Sequence, residues 1–314
     1  MSDSLNILIY GRNAERYQDA LRARGITDPV FAASDPDTAR TYAAEADVLL
    51  SWRFPADLYR EARRLRWVQC MGAGVEDIMA AQGLPEGVVV TRIVDQFGPM
   101  LAEYVFAELL ARVRRIDRVR ALQAQRRWEH FIAGTLQGQT IGVAGLGSIG
   151  AEIVRKARAF DMRVYGLSRT GTAGGLVDRH FGPVHWPQFV ADLDVLVLTL
   201  PLTAQTRGVV NGEVLASMKP GSVLVNVGRG GLCPEAELIA ALRAGRPGGA
   251  ILDVFEVEPL PEASPLWEEP GVTVTPHVSG PSLTDEVTDF FVDNLRRLRG
   301  GEALQGVVDR EAGY

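Results

Sequence analysis

The chain has 314 residues, 46% of them apolar and 23% charged, with a formal net charge of −6. That length exceeds what one core usually supports and points to two domains, and the composition excludes the disordered, collagenous and disulfide-scaffold classes. Net acidity gives no footprint for nucleic acid or an anionic membrane surface, and no apolar run is long enough to span a bilayer or act as a leader, so small-molecule partners and a cytoplasmic setting are expected.

In the first third, strand-like runs at 6–10, 48–52, 67–70 and 88–94 alternate with helical stretches, which predicts a parallel α/β sheet. Trp52 ends one such run and is placed either to wall off a substrate side chain or to pack in a core. Cys70 leads into Met71-Gly72-Ala73-Gly74-Val75, a strand-to-helix turn whose amides are suited to a carboxylate. Glycines also serve ordinary turns, so this segment alone decides nothing. From 99 to 128 the pattern becomes one long helical segment, with Leu101, Tyr104, Val105, Leu109 and Val113 as its apolar stripe. The arginines between Arg112 and Arg127 read as a solvated helix face.

A second α/β series follows, with strands expected at 140–145, 163–167, 195–200, 222–227, 250–254 and 272–275, apolar nearly throughout as in strands covered on both faces. The first of these runs into Gly145-Leu146-Gly147-Ser148-Ile149-Gly150 and then a helix carrying Ile153, Val154 and Ala157. This is a dinucleotide fingerprint in its required context: Gly145 for the tight turn, Gly147 for approach to a pyrophosphate, Gly150 for helix–strand packing. At the end of the next strand an NAD enzyme commonly places an acid, but here stand Ser168, Arg169 and Thr170. These groups suit a 2′-phosphate, so NADP(H) is the preferred cofactor expected, with NAD(H) also accepted.

Three polar residues then follow successive strands: Arg229, Glu258 and His277. Reducing a 2-oxo acid requires a cation for its carboxylate and carbonyl, a proton donor for the developing alkoxide, and a group that holds that donor. Arginine, histidine and glutamate supply these in turn. Asp253 ends a strand and is read as either an acceptor for the nicotinamide ribose or a positioner of its neighbours. His130, His180 and His185 read as surface or packing residues, and Cys70 and Cys233 lack the spacing of a metal site or disulfide framework, so no metal is expected.

With these motifs assembled, the chain resembles the D-isomer-specific 2-hydroxyacid dehydrogenase family, most of all its short glyoxylate/hydroxypyruvate reductase branch. The resemblance spans essentially the whole length and rests on the fingerprint from Gly145 to Gly150, Leu200-Pro201-Leu202-Thr203 with Thr206, Asn226-Val227-Gly228-Arg229-Gly230, Asp253 through Glu258-Pro259, and Thr275-Pro276-His277. It implies a two-domain α/β fold, in which a doubly wound parallel-sheet Rossmann cofactor domain (99–282) is inserted into a smaller flavodoxin-like substrate domain (1–98), completed by a C-terminal helix (283–314). It further implies cofactor contacts at Gly145, Gly147, Ser148, Ile149, Gly150, Ser168, Arg169, Thr170, Leu200, Pro201, Thr206, Val227, Gly228, Arg229, Asp253 and His277. Arg229, Glu258 and His277 match the catalytic set, and Trp52, Gly72, Ala73, Gly74 and Val75 join Arg229 and His277 as substrate contacts. A homodimer built on the helical segment after Pro99 is also implied. Two departures stand out: the acid after the second cofactor strand is missing, and Pro234 replaces a frequent aspartate. Relatives acting on formate, phosphite or bulkier 2-hydroxy acids, and corepressors that use the fold to sense nucleotide, remain alternative readings.

Overall fold

In the computed structural model, which describes residues 4–169 and 175–313, the chain divides into two units, Met1–Gln96 with Ser282–Tyr314 and Phe97–Pro281. The first opens with β1 (Ile7–Tyr10), α1 (Ala14–Ala23), β2 (Val30–Ala33), α2 (Pro36–Ala43) and β3 (Val48–Ser51). It continues with α3 (Ala56–Glu61), β4 (Trp67–Cys70), α4 (Glu76–Met79) and β5 (Val89–Thr91). The five strands are parallel in the order β2-β1-β3-β4-β5, the flavodoxin-like winding.

The second unit carries α5 (Gly98–Val113), α6 (Ile116–Ala124), β6 (Thr140–Ala144), α7 (Ser148–Ala159), β7 (Arg163–Leu167) and β8 (Arg179–Phe181). After these come α8 (Trp186–Val190), β9 (Val195–Leu198), α9 (Gly212–Ala216), β10 (Val223–Asn226), α10 (Glu235–Arg243), β11 (Gly249–Leu252) and β12 (Val272–Val274). Its seven strands are all parallel and run β12-β11-β10-β9-β6-β7-β8, a doubly wound Rossmann order in which the winding, not the strand direction, reverses beside β6. The chain then returns to the first unit as α11 (Thr284–Gly300), where Phe291 stacks on Trp67 of β4 with ring centroids 4.9 Å apart.

Sequence explains the central strands directly. β6, β9, β10 and β11 are buried at every position, which is why they read as unbroken apolar runs. α7 buries Gly150, Ile153, Val154 and Ala157 along one face and leaves its basic last turn outward. Each of its two large aliphatics contributes roughly 1.5–3 kcal/mol by leaving water.

Three expectations need correction. The helical segment expected over 99–128 is two helices, broken where Arg115 adopts φ 52°; an arginine gives no sequence signal for that turn, and Trp128 and His130 lie beyond the second helix. Arg112 is no solvated face residue: burial depresses its guanidinium pKa, and it donates to the carbonyls of Gly271 (3.1 Å) and Gly248 (3.0 Å). The stretch holding His180, where no strand was among those expected, contains the edge strand β8.

Candidate active site

The loops at the carboxyl ends of β10 and β11 and the segment after β12 bring the three polar candidates of the second unit together. At the end of β10 the buried Asn226 clamps its own turn, its Nδ2 donating to the Arg229 carbonyl (2.9 Å) while its Oδ1 accepts from the Gly228 amide (3.1 Å). A side chain at Gly230 would collide with the Phe255 carbonyl carbon at 1.9 Å, so this glycine lets the Arg229 turn lie directly on the loop that carries Glu258. Arg229 is half-buried, and its Nη1 donates to the Gly228 carbonyl (2.7 Å).

Glu258 Oε1 accepts from the Phe255 amide (3.0 Å), and Oε2 meets His277 Nδ1 at 2.8 Å. Burial pushes this carboxyl upward, but the bonds from His277 and the Phe255 amide, with the charges of His277 and Arg229, outweigh it and hold the group below the usual carboxylate range. An ionised carboxylate can only accept, so Nδ1 must carry the hydrogen. That fixes the tautomer and leaves Nε2 of the half-exposed imidazole for proton exchange.

His277 itself has φ 51°, a left-handed conformation costing a non-glycine residue about 1–2 kcal/mol. The fully buried Asp253 holds it there. Its carbonyl accepts from the His277 amide (3.0 Å), and its carboxylate accepts from the Val278 and Ser279 amides (both 2.9 Å) and from Thr275 Oγ1 (2.6 Å). Since Thr275 spends its proton on Asp253, the Tyr104 hydroxyl 2.7 Å away must donate to Thr275. Of the two roles open to Asp253, its bonds are those of a positioner rather than a ribose acceptor. Sequence reasoning did not single out Asn226, Thr275 or Tyr104 as site residues. Asn226 was legible as the one polar residue closing an apolar strand, whereas Tyr104 was hidden within an apolar stripe.

The glycine loop behaves as its spacing requires. Gly145 turns with φ 103°, and a side chain at Gly150 would strike the Gly145 carbonyl oxygen at 1.8 Å. At Gly147 a side chain would meet nothing within 4 Å, and Gly147 and Ser148 are exposed at the start of the three-turn α7, with Ile149 half-buried behind them. Open amides at a helix N-terminus are a fit for a pyrophosphate. Leu200, Pro201 and Thr206 are half-buried in the loop beyond β9, where Thr206 Oγ1 donates to the Pro201 carbonyl (2.6 Å) and accepts from the Thr203 amide (2.8 Å). Val227 and Gly228 are buried. After β7, Ser168 is half-buried and Arg169 exposed; Thr170 lies outside the described residues. Ser168 Oγ lies 3.0 Å from Nε2 of His180, which is exposed, in keeping with its reading as a surface or packing residue.

In the first unit, Trp52 and Gly72 lie together: a side chain on Gly72 would overlap the Trp52 ring at 2.1 Å. Trp52 keeps 46% of its surface exposed, so it is not a core residue. Ala73 and Gly74 are half-buried and Val75 buried; the Cys70 thiol donates to the Gly74 carbonyl (3.1 Å), and the Gly72 carbonyl accepts from the Ile93 amide (2.9 Å). α4 is a single turn of four residues, so any carboxylate binding here would rest on loop amides and not on a helix dipole. Among the described residues no group of three His, Cys, Asp or Glu side chains is set to hold a metal ion, and no helix is long and apolar enough to cross a membrane.

Residues 106–279 match the family model described as D-isomer specific 2-hydroxyacid dehydrogenase, NAD binding domain. The chain belongs to this family. As a 2-hydroxyacid dehydrogenase it is 35% identical over 277 residues to glyoxylate/hydroxypyruvate reductase A of Salmonella paratyphi B, covering 86% of this chain and 88% of that relative. Among solved structures it is similar to a D-isomer specific 2-hydroxyacid dehydrogenase from Xanthobacter autotrophicus Py2 in complex with NADPH and MES (34% identity, TM-score 0.88, 99% and 100% of the two chains). It is likewise similar to an NADPH-dependent glyoxylate/hydroxypyruvate reductase from Sinorhizobium meliloti in complex with NADP and sulfate (31% identity, TM-score 0.90, 98% and 100%).

Proposed function

We propose that this dehydrogenase is an NADPH-preferring reductase of a small 2-oxo acid, glyoxylate or hydroxypyruvate, that yields the D-2-hydroxy acid where a stereocentre forms. The observation that carries the reading is the Glu258–His277 bond, 2.8 Å long and within electrostatic reach of Arg229. When bound, the nicotinamide supplies the hydride. Arg229 grips the substrate carboxylate and polarises the carbonyl, and His277 Nε2 delivers a proton to the oxygen as negative charge develops there. Glu258 holds the ring by Nδ1 and stabilises its charged form before the transfer; in the reverse direction the neutral ring is the base.

The amides of Gly147, Ser148 and Ile149 would hold the pyrophosphate, while Ser168 and Arg169 would take the 2′-phosphate. The absence of a carboxylate at 168 and 169, and the NADPH-bound relatives, support NADPH over NADH. Trp52 would shape the substrate's side-chain pocket, and the amides of residues 72–75 would bind a carboxylate. The enzyme is proposed to act as a cytoplasmic homodimer, with the helical segment after Pro99 and the stretch beyond α6 in the interface.

Following cofactor absorbance with NADPH or NADH against glyoxylate, hydroxypyruvate, pyruvate, phenylpyruvate and oxaloacetate tests this directly. The expected result is oxidation of NADPH, faster than of NADH, with the two smallest acids leading, and a reversal of cofactor preference in Arg169→Asp. Silence across the panel while dinucleotide still binds would sink the reductase assignment.

A further inference from the structure

We infer that Tyr104 is a positioning residue for His277, acting from α5 through Thr275 and Asp253; the inference rests on the reductase reading above. α5 runs alongside β12 in the opposite direction and is tied to both of its ends. Arg112 donates to the carbonyl of Gly271, just before the strand (3.1 Å), and the Tyr104 hydroxyl reaches Thr275 Oγ1, just after it (2.7 Å). Between these ties the helix advances about 12 Å and the strand about 13 Å, so the two stay in step. Beyond His277, a side chain at Gly280 would strike Leu101 at 2.9 Å, so that segment too lies on α5, on the face that Leu101 shares with Tyr104. The helix is itself fixed to the glycine-loop side: Phe106 stacks on Phe160 at the end of α7, with centroids 5.0 Å apart, and a side chain at Gly98 would lie 3.3 Å from the Ser148 carbonyl oxygen.

Tyr104 donates to Thr275, and Thr275 donates to Asp253 Oδ1 (2.6 Å), so two hydroxyl protons point the same way along one chain. Bonds in such a series strengthen one another. Burial raises the Tyr104 pKa, which keeps on the hydroxyl the proton that it donates. The chain ends on the oxygen that also accepts the Val278 amide, while Oδ2 accepts the Ser279 amide and the Asp253 carbonyl accepts that of His277. One side chain thus holds three consecutive amides, and α5 holds that side chain. A left-handed histidine, at φ 51°, persists only while its surroundings impose it. Without the Tyr104 bond, Asp253 grips the turn less firmly, and the imidazole is free to drift from Glu258. Tyr104 acts at a distance from the reacting atoms, through the placement of the ring alone.

Steady-state kinetics with NADPH and glyoxylate, together with calorimetric titration of NADPH, test the assignment in the full-length protein. Tyr104→Phe, which removes only the hydroxyl, should lower kcat about fivefold while KM and the NADPH Kd hold within about twofold. Introduced into Thr275→Val, where the chain is already cut, the same change should alter kcat by less than about twofold. Introduced into Thr275→Ser, which keeps the linking oxygen, it should again lower kcat about fivefold. An unchanged kcat in Tyr104→Phe, a loss confined to KM or Kd, or an equal loss in the valine and serine backgrounds would overturn the role. Wild type that binds NADPH yet turns over no 2-oxo acid would instead remove the reductase reading, and this inference with it.

Discussion

Glu258 and His277 make a pair whose behaviour in acid follows from its bonds. The Glu258 carboxyl is held below its ordinary range in the folded protein, so its stabilising contribution is complete above the unfolded value, about pH 4.3, and is lost as pH falls through the depressed folded one. Thermal unfolding of wild type and Glu258→Gln should show the variant less stable at pH 7, with the gap starting to narrow once pH falls below about 4; a gap that does not shrink on further acidification would reject the ionised-pair description. Removing the ring tests chemistry instead of stability: His277→Ala should lower kcat by roughly 10²–10⁴-fold while cofactor Kd holds within about twofold. His277 was legible because it stands alone after a strand, and Glu258, which follows Asp253 and Glu256, was legible from the motif running from Asp253 to Pro259. Tyr104 was not, since its partner Thr275 lies 171 residues away and only the fold brings them together.

The strand-to-helix turn from β6 to α7 separates folding from binding within six residues. Gly150→Ala would force a methyl against the Gly145 carbonyl oxygen and should lower the melting temperature by several degrees; Gly147→Ala, with open space around it, should melt like wild type yet bind dinucleotide at least tenfold more weakly. Comparable loss of stability in both variants would show that the loop has no such division. The long buried strands were readable from composition because both faces are covered. Edge strands were not: β2 is half-buried at three of four positions and β8 spans three residues, too short and too exposed to carry a pattern. The break between α5 and α6 was invisible for a different reason, since the left-handed turn falls on an arginine where glycine would have announced it.

Across the whole molecule, apolar surface gathers beyond α6, where Trp128 and Ile132 are almost wholly exposed and a cavity of about 600 Å³ is lined by Val119, Leu122, Trp128 and Phe131 among others. If this is the proposed dimer surface, Trp128→Asp should sediment as a monomer with unchanged circular dichroism, whereas an unaltered oligomeric state would place the interface elsewhere. The discontinuous make-up of the first unit carries a consequence for biosynthesis. Its sheet is completed by residues made after the intervening unit: the Gly306 carbonyl accepts from the Arg92 amide and the Val308 amide donates to the Val90 carbonyl, while Phe291 covers Trp67. On the ribosome the opening segment must wait through synthesis of the entire intervening unit, about 10–40 s at roughly 5–20 residues per second. The Trp67 ring of β4 and the outer edge of β5 stay uncovered throughout that interval, which makes the nascent first unit a client for chaperones that the later-made unit, contiguous in sequence, has less need of.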